Sequence, residues 1–212
     1  MLRKGLKYGF SLLLLLIIGY NSVYIKDLNE VKAAAAAGKF NAAEYAQKFW
    51  QEKLTPGLTK AVDLPELLQN LQANPDEAFK THGHALGIGN LKYFLVKGTG
   101  QITAISENDV TVTLQPATND SNIRLQTEFV YGNAIRDALG VINMNDFDNT
   151  MDMNNVSAEI NKKIRTEIIP PFKAQAKTGN QVQFIGAIEL NQAHLRLQEI
   201  EIIPVSLALV QK

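Results

Sequence analysis

Residues 195–209 alternate apolar and polar with period two, but the phase does not hold. The apolar positions are odd at Leu195 and Leu197, even at Ile200 and Ile202, and odd again at Val205, Leu207 and Leu209. In a strand, a shift of one residue moves every side chain to the opposite face. One long strand can carry this pattern only if it bulges or bends, so that its parts face different neighbours. A small closed barrel makes that demand of its strands, and no other stretch of the chain restricts the fold as much.

The region before it has the same period. From Lys92, Phe94, Val96, Ile102 and Ala104 fall on one face of a long strand bent at Gly98 and Gly100. After the turn Glu107-Asn108-Asp109, Val110, Val112 and Leu114 alternate with Thr111 and Thr113, as in a half-buried hairpin partner. A third strand has Ile123, Leu125 and Phe129 inward and Arg124, Gln126 and Glu128 outward. A helix over 154–169 follows, capped by Asn154 or Asn155, with Val156, Ile160, Ile164 and Ile168 as its apolar stripe. Pro170-Pro171 stops or kinks it. Val182, Phe184, Ile188 and Leu190 form a fourth strand with Gly186 in its middle. Three strands, a helix and two strands, with Gly inside the first and fourth, predict an α+β fold that is mainly β. It is an OB-fold-like Greek-key barrel.

Upstream, the period is helical. Asn41 caps a helix to about Leu58 with Tyr45, Phe49, Trp50, Leu54 and Leu58 as its buried stripe. A core role for Trp50 is favoured over a sugar pocket. Asp63 caps a second helix, Pro65 sits in its first turn, Glu66 reaches back, and Leu64, Leu67, Leu68 and Leu71 are its inner face. Asn74-Pro75-Asp76-Glu77 starts a further short turn to His82. These elements form a helical layer on the barrel. The resulting division is 1–27 as a signal anchor, 28–91 as spacer and helical layer, and 92–212 as barrel.

At the N-terminus, Arg3, Lys4 and Lys7 precede an uncharged run over residues 8–25. A bilayer-spanning helix needs about 20 apolar residues, with about 17 as the lower end. Residues 19–24 read Gly-Tyr-Asn-Ser-Val-Tyr and offer no A-x-A-like cleavage site, so an uncleaved transmembrane helix is favoured over a cleaved signal peptide. The basic start places the N-terminus in the cytoplasm and the C-terminal domain outside. The expectation is a single-pass inner-membrane protein with a periplasmic domain. Cys is 0, which excludes disulfides, thiolate chemistry, Cys-ligated metal and lipidation on Cys. A net charge of +0 gives no global field to attract nucleic acid.

Between the third strand and the helix lies the stretch richest in chemistry, residues 131–152. Gly132, Arg136, Asp137, Asn145 and Asp146 are its candidate binding residues. Adjacent helical residues point about 100° apart, so Arg136 and Asp137 need not pair. Arg136 can instead reach an acid in residues 143–152, as a ligand site or as an ion-pair clamp. Asn143, Asn145, Asp146, Asp148 and Asp152 offer oxygen ligands suited to Ca²⁺, but EF-hand spacing fails, and a polar turn capping the next helix is favoured. His82-Gly83-His84 lacks a third nearby ligand and reads as solvated loop. Gly87-Ile88-Gly89 and Gly98-Thr99-Gly100 do not complete a phosphate-binding loop. No G-x-S-x-G or H-E-x-x-H occurs, and acids crowded in one loop are weak support for a glycosidase pair. No catalytic residue, metal or cofactor is expected.

Three stretches carry a family likeness: FNAAEYAQKFWQEKLTPGLTKAVDLPELLQNLQANPDEAF, YFLVKGTGQITAI and YGNAIRDALGVINMNDFDNTMDMNNVSAEIN. Together they resemble the bacterial predicted periplasmic lipoproteins, domain of unknown function 2291. The resemblance implies an envelope location, an OB-like barrel decorated with helices, and genetic company with sugar-type ABC transporters. It implies no enzymatic activity and supplies no catalytic residues. Many relatives carry a lipobox Cys after the apolar run; residues 20–24 contain none, so a protein anchor must replace the lipid. The expected function is a membrane-anchored, non-enzymatic binding or accessory module associated with sugar ABC transport. Its expected partners are the inner membrane, transporter components and a saccharide, with no nucleic acid. The alternatives are an envelope saccharide hydrolase or lyase using Asp146 or Asp148, and a purely structural envelope protein.

Overall fold

The structure, a computed structural model, describes residues 40–116 and 122–210. The expected membrane segment and the Ala-rich spacer lie outside the described residues. Among the described residues no helix is long and apolar enough to cross a membrane.

Helix α1 begins at Ala42–Lys48, where the Asn41 side chain accepts from the Glu44 amide at 3.1 Å. It passes through a π-helical segment, Phe49–Leu54, into Thr55–Gly57. A short strand β1, Val62–Asp63, leads into α2, Leu64–Ala73, and α3, Pro75–His82. Leu64, Leu67, Leu68 and Leu71 are all buried, as their spacing requires. Asp63 stands at the N-cap of α2 but makes no capping bond with its side chain. Its place in β1, paired with Lys97, already fixes the entry to the helix.

Five longer strands follow: β2, Leu91–Ile105; β3, Asp109–Leu114; β4, Asn122–Gln126; β5, Gln181–Asn191; and β6, Glu199–Val210. The sheet order is β1-β2-β3-β4-β6-β5, and β2 also pairs with β5, which closes the barrel. β4 and β6 run parallel; the other pairs of long strands are antiparallel. This is the OB-type Greek-key barrel that the strand order predicts.

The phase changes of the last strand have two different causes. The second lies at a bulge: Gly186 pairs with Pro204 and Ile185 with Ser206, leaving Val205 extra. The first lies outside the strand. β6 starts at Glu199, not at the expected Leu195, because residues 192–194 form a 3-10 turn capped by the Asn191 side chain. A Cβ on Gly186 would lie 2.5 Å from Ile202 Cγ2 and from the Ile203 carbonyl oxygen, so only glycine permits this close crossing. Two further expectations shift for similar reasons. Ala104 is exposed because the β2–β3 register slips between Ile102 and Ala104. Phe129 is 57% exposed because β4 ends at Gln126.

Helix α5 starts at Thr150–Lys163, passes through a π-helical segment, Ile164–Ile168, and ends as Ile169–Lys173. Its cap is Asn149, not Asn154 or Asn155. The Asp152 amide donates to Asn149 Oδ1 at 3.0 Å, and Asn149 Nδ2 donates to Asp152 Oδ2 at 2.8 Å. Asn154 and Asn155 lie inside the helix, exposed. The π-helical turn also moves the apolar stripe. After Val156, Ile160 and Ile164 the next buried residue is Ile169, because a wider turn delays the return to the same face. Ile168 is only half-buried. The same turn gives Pro170 and Pro171 room at the start of the final segment, so the helix continues past them. In α1 the step from buried Phe49 to buried Leu54 crosses the other π-helical segment, and Trp50 is half-buried rather than core.

One continuous core joins the barrel interior to α2 and α3. Phe79 of α3 and Phe94 of β2 meet edge to face with centroids 5.1 Å apart. Burying a side chain of this size contributes about 1.5–3 kcal/mol, so the contact fastens the helical layer to the barrel.

Candidate functional site

The stretch after β4 is fixed in place by a row of polar residues on α5. Arg165 donates to the Val130 carbonyl, and Asn161 Nδ2 donates to the Gly132 carbonyl at 2.9 Å. Ser157 Oγ donates to Asn133 Oδ1 at 3.0 Å. The Met153 carbonyl accepts from Arg136 Nη1 at 3.0 Å. Positions 153, 157, 161 and 165 recur every fourth residue and so lie along one helix face. Ser157 and Asn161 are buried, which their residue types alone do not announce.

On this support sits α4, Ala134–Asp137, a single helical turn. Gly132 enters it with φ +79° and Gly140 leaves it with φ +69°. A Cβ on Gly140 would lie 2.3 Å from His84 Nδ1. His84 is therefore packed against the end of this turn, and its backbone bridges to Tyr93. It is not a solvated loop histidine. Burial, then the charges of Lys92 and His82, hold its pKa below the ordinary histidine value.

Arg136 and Asp137 pair with each other, although adjacency on a helix does not require it, and Arg136 does not take an acid of residues 143–152 as its partner. Arg136 Nε lies 2.6 Å from Asp137 Oδ1, and Nη2 lies 2.9 Å from Oδ2. The long guanidinium stem bends back over the single turn, and the fork matches the carboxylate. They are 3% and 4% exposed. Among the described residues Arg136 makes no hydrogen bond or ion pair with an acid of residues 143–152; its Nη1 donates to the α5 backbone instead.

Residues 143–152 are organised around α1 and α5 instead. Asn143 Oδ1 accepts from the Asn145 amide at 2.9 Å and caps the 3-10 turn Met144–Asp146. Asp146 accepts from the Tyr45 hydroxyl at 3.3 Å, and the rings of Tyr45 and Phe147 lie 5.1 Å apart. Burial, with the Asp146 charge added, pushes the Tyr45 phenol up to about 12. Among the described residues no group of three or more His, Asp or Glu side chains is placed to hold a metal ion. Of the five candidate residues, the structure thus joins Arg136 to Asp137 and places Gly132 beside them. Asn145 and Asp146 belong to a separate turn against α1.

A groove of about 670 Å³ opens nearby, and sequence reasoning missed most of it. Above Ala187↔Ile203 the strands β5 and β6 part: β5 continues against β2, while β6 turns to pair with β4. The groove fills that parting. Ala187, Ile188, Leu190 and Ile200 line it with buried apolar side chains. Around them stand Arg124 and Gln126 of β4, Phe129, Tyr131, Gly132 and Asn133, Glu189 of β5, Arg196 and Gln198 of the β5–β6 connection, and Glu199 and Glu201 of β6. Gly132 is the one member that the sequence-based candidates include.

Within it, Arg124 Nη2 bonds Glu201 at 2.9 Å and Glu199 at 3.4 Å. Burial first, then the charge of nearby Glu189, push the Tyr93 phenol up to about 12. Tyr131 is 62% exposed, with the Arg165 guanidinium 5.2 Å from its ring centroid. Because Arg165 is itself tied to the Val130 carbonyl, the ring is held rather than free. The Gln126 side chain is 7% exposed and has no hydrogen-bond partner among the described residues, yet it lines the groove.

The chain is similar to a crystallised OB-fold protein from Thermotoga maritima MSB8. The two share 28% identity with a TM-score of 0.71, over 81% of this chain and 99% of that one. No curated protein matches the chain. A family model described as "Predicted periplasmic lipoprotein (DUF2291)" matches residues 13–208, and its description carries an envelope location with it. The match takes in every described element from α1 and reaches into β6, and the chain belongs to this family of predicted periplasmic lipoproteins.

Proposed function

We infer that this protein is a non-enzymatic binding module of the bacterial envelope, and that the groove between β5 and β6 is its seat for a saccharide. The observation that carries the reading is Gln126. Its amide has no partner among the described residues and is open to the groove, so a ligand seated there can use both its donor and its acceptor. The surrounding chemistry suits a sugar. Exposed Phe129 and Tyr131 offer flat apolar faces to ring C–H groups, and Tyr131 is already held in position. Asn133, Gln198 and the groove carboxylates can bond hydroxyls. The volume falls in the range of about 300–1,000 Å³ usual for ligand sites. The lining carries Glu189, Glu199 and Glu201 against Arg124 and Arg196, a balance that disfavours a polyanion such as nucleic acid.

The partner in this reading is a sugar ABC transporter, with the inner membrane as the place of attachment. Its support is the company that members of the resembled family keep with such transporters. A glycan array probed with the full chain in detergent tests the ligand class. Binding should appear on the array and vanish in the Phe129→Ala, Tyr131→Ala double variant. A blank array with folded wild-type protein ends the saccharide reading. Co-purification from solubilised membranes tests the partner, and repeated failure to recover a transporter subunit ends that part.

A further inference from the structure

The charges of the groove are not equally engaged. Arg124 is held by Glu201 and Glu199. Glu189 is exposed on β5. Arg196 stands exposed in the segment between β5 and β6, and it has no hydrogen bond or ion pair among the described residues. Of the two groove arginines, Arg196 is therefore the one without an acid partner among the described residues.

We propose that Arg196 is an anion anchor and that the groove takes a sugar acid, a pyranose ring carrying one carboxylate, with the ring stacked on Phe129 and Tyr131. The proposal rests on the saccharide reading of the same groove and goes beyond it to the ligand's charge. An arginine fork matches a carboxylate with two parallel hydrogen bonds, and such charge-assisted bonds are shorter and stronger than neutral ones. Arg196 beside three acids selects a ligand with one anionic group over one with several, because each added negative charge would face Glu189, Glu199 or Glu201. Gln126 then fixes the register of the ring, since its amide offers both a donor and an acceptor inside the groove. Arg196 supplies attraction at the rim, and Gln126 supplies orientation on the inside.

The test is calorimetric titration of the full chain in detergent micelles with galacturonic acid and with neutral galactose. The acid should bind about ten- to a hundredfold more tightly, the effect of one charge-assisted pair. Arg196→Gln should erase that preference, and Arg196→Lys, which keeps the charge without the fork, should keep part of it. Raising the salt concentration should weaken the acid and not the neutral sugar. Near-UV circular dichroism of each variant confirms that the fold is retained. Equal affinity for the two sugars overturns the proposal, as does an Arg196→Gln variant that keeps the preference. If galactose binds and the acid is not favoured, only the anion anchor falls. If neither sugar binds the wild-type chain and the glycan array is blank, the saccharide reading falls with it.

Discussion

Arg136 and Asp137 are neighbours in sequence and principal partners in space, with Nε 2.6 Å from Oδ1 and Nη2 2.9 Å from Oδ2. Both are almost wholly buried. Removing one partner leaves a buried charge without compensation, at a cost of about 3–5 kcal/mol, whereas replacing both with apolar groups is often close to neutral. Arg136→Met should therefore destabilise strongly, and Arg136→Met with Asp137→Leu should recover most of the loss. Urea denaturation checks both variants. A single variant that loses less than about 1 kcal/mol would show that water reaches the pair.

The start of α5 gives a sharper test of boundary. Asn149→Ala removes the side chain that receives the Asp152 amide, and should cost about 1 kcal/mol in the same titration. Asn155→Ala, inside the helix and exposed, should change stability by less than about 0.5 kcal/mol. The reverse order would move the cap to where the sequence pattern alone would put it.

Gly132 and Gly140 both have positive φ, but their surroundings differ. A side chain in the left-handed region costs about 1–2 kcal/mol. Gly132→Ala should cost no more than that, because nothing lies within 4 Å of the added Cβ. Gly140→Ala should cost clearly more, because His84 must also move. Thermal unfolding of the two variants side by side decides it; equal losses would mean that His84 yields freely.

Tyr45 and Tyr93 give a prediction at alkaline pH. Both phenols are raised to about 12 in the folded chain, by burial first and then by Asp146 and Glu189 respectively. An unfolded tyrosine titrates near about 10. A raised folded value means that the stabilisation is fully present below about pH 10 and is lost as the pH rises from about 10 through about 12. Partial exposure keeps the effect modest. Ultraviolet titration of tyrosinate should show these phenols ionising late among the chain's 6 tyrosines. Asp146→Asn should lower the Tyr45 value and leave that of Tyr93 unmoved; no change at Tyr45 would sink the assigned cause.

The barrel was legible because its demands fall on side-chain periodicity. Alternation marked β2 to β6, Gly186 marked the close crossing, and the second phase change marked the bulge at Val205. The turn around Asn143 and Asn149 was legible as a capping turn because Asn and Asp advertise that role. Other features were not. Ser157 and Asn161 look like surface polar residues, and they bond to the segment at Asn133 and to the Gly132 carbonyl, which carries no side-chain signal. The π-helical turns in α1 and α5 displace Trp50 and Ile168 from the core, and nothing in the local composition marks an extra residue in a helical turn. The groove was hidden for a different reason. Arg124, Tyr131, Glu189 and Arg196 come from separate segments and meet only when the barrel closes.

The parting of β5 and β6 is set by backbone pairing, through the bulge at Val205 and the turn of β6 toward β4. The chemistry of the opening is set elsewhere, by side chains such as Arg196 and Gln198 that make no strand pairs. Aperture and taste are thus written in different parts of the chain. Substitutions at Arg196 and Gln198 can redirect what enters without removing a side chain of the core. Deleting Val205, by contrast, would remove the bulge and force β5 and β6 into even register beside the opening.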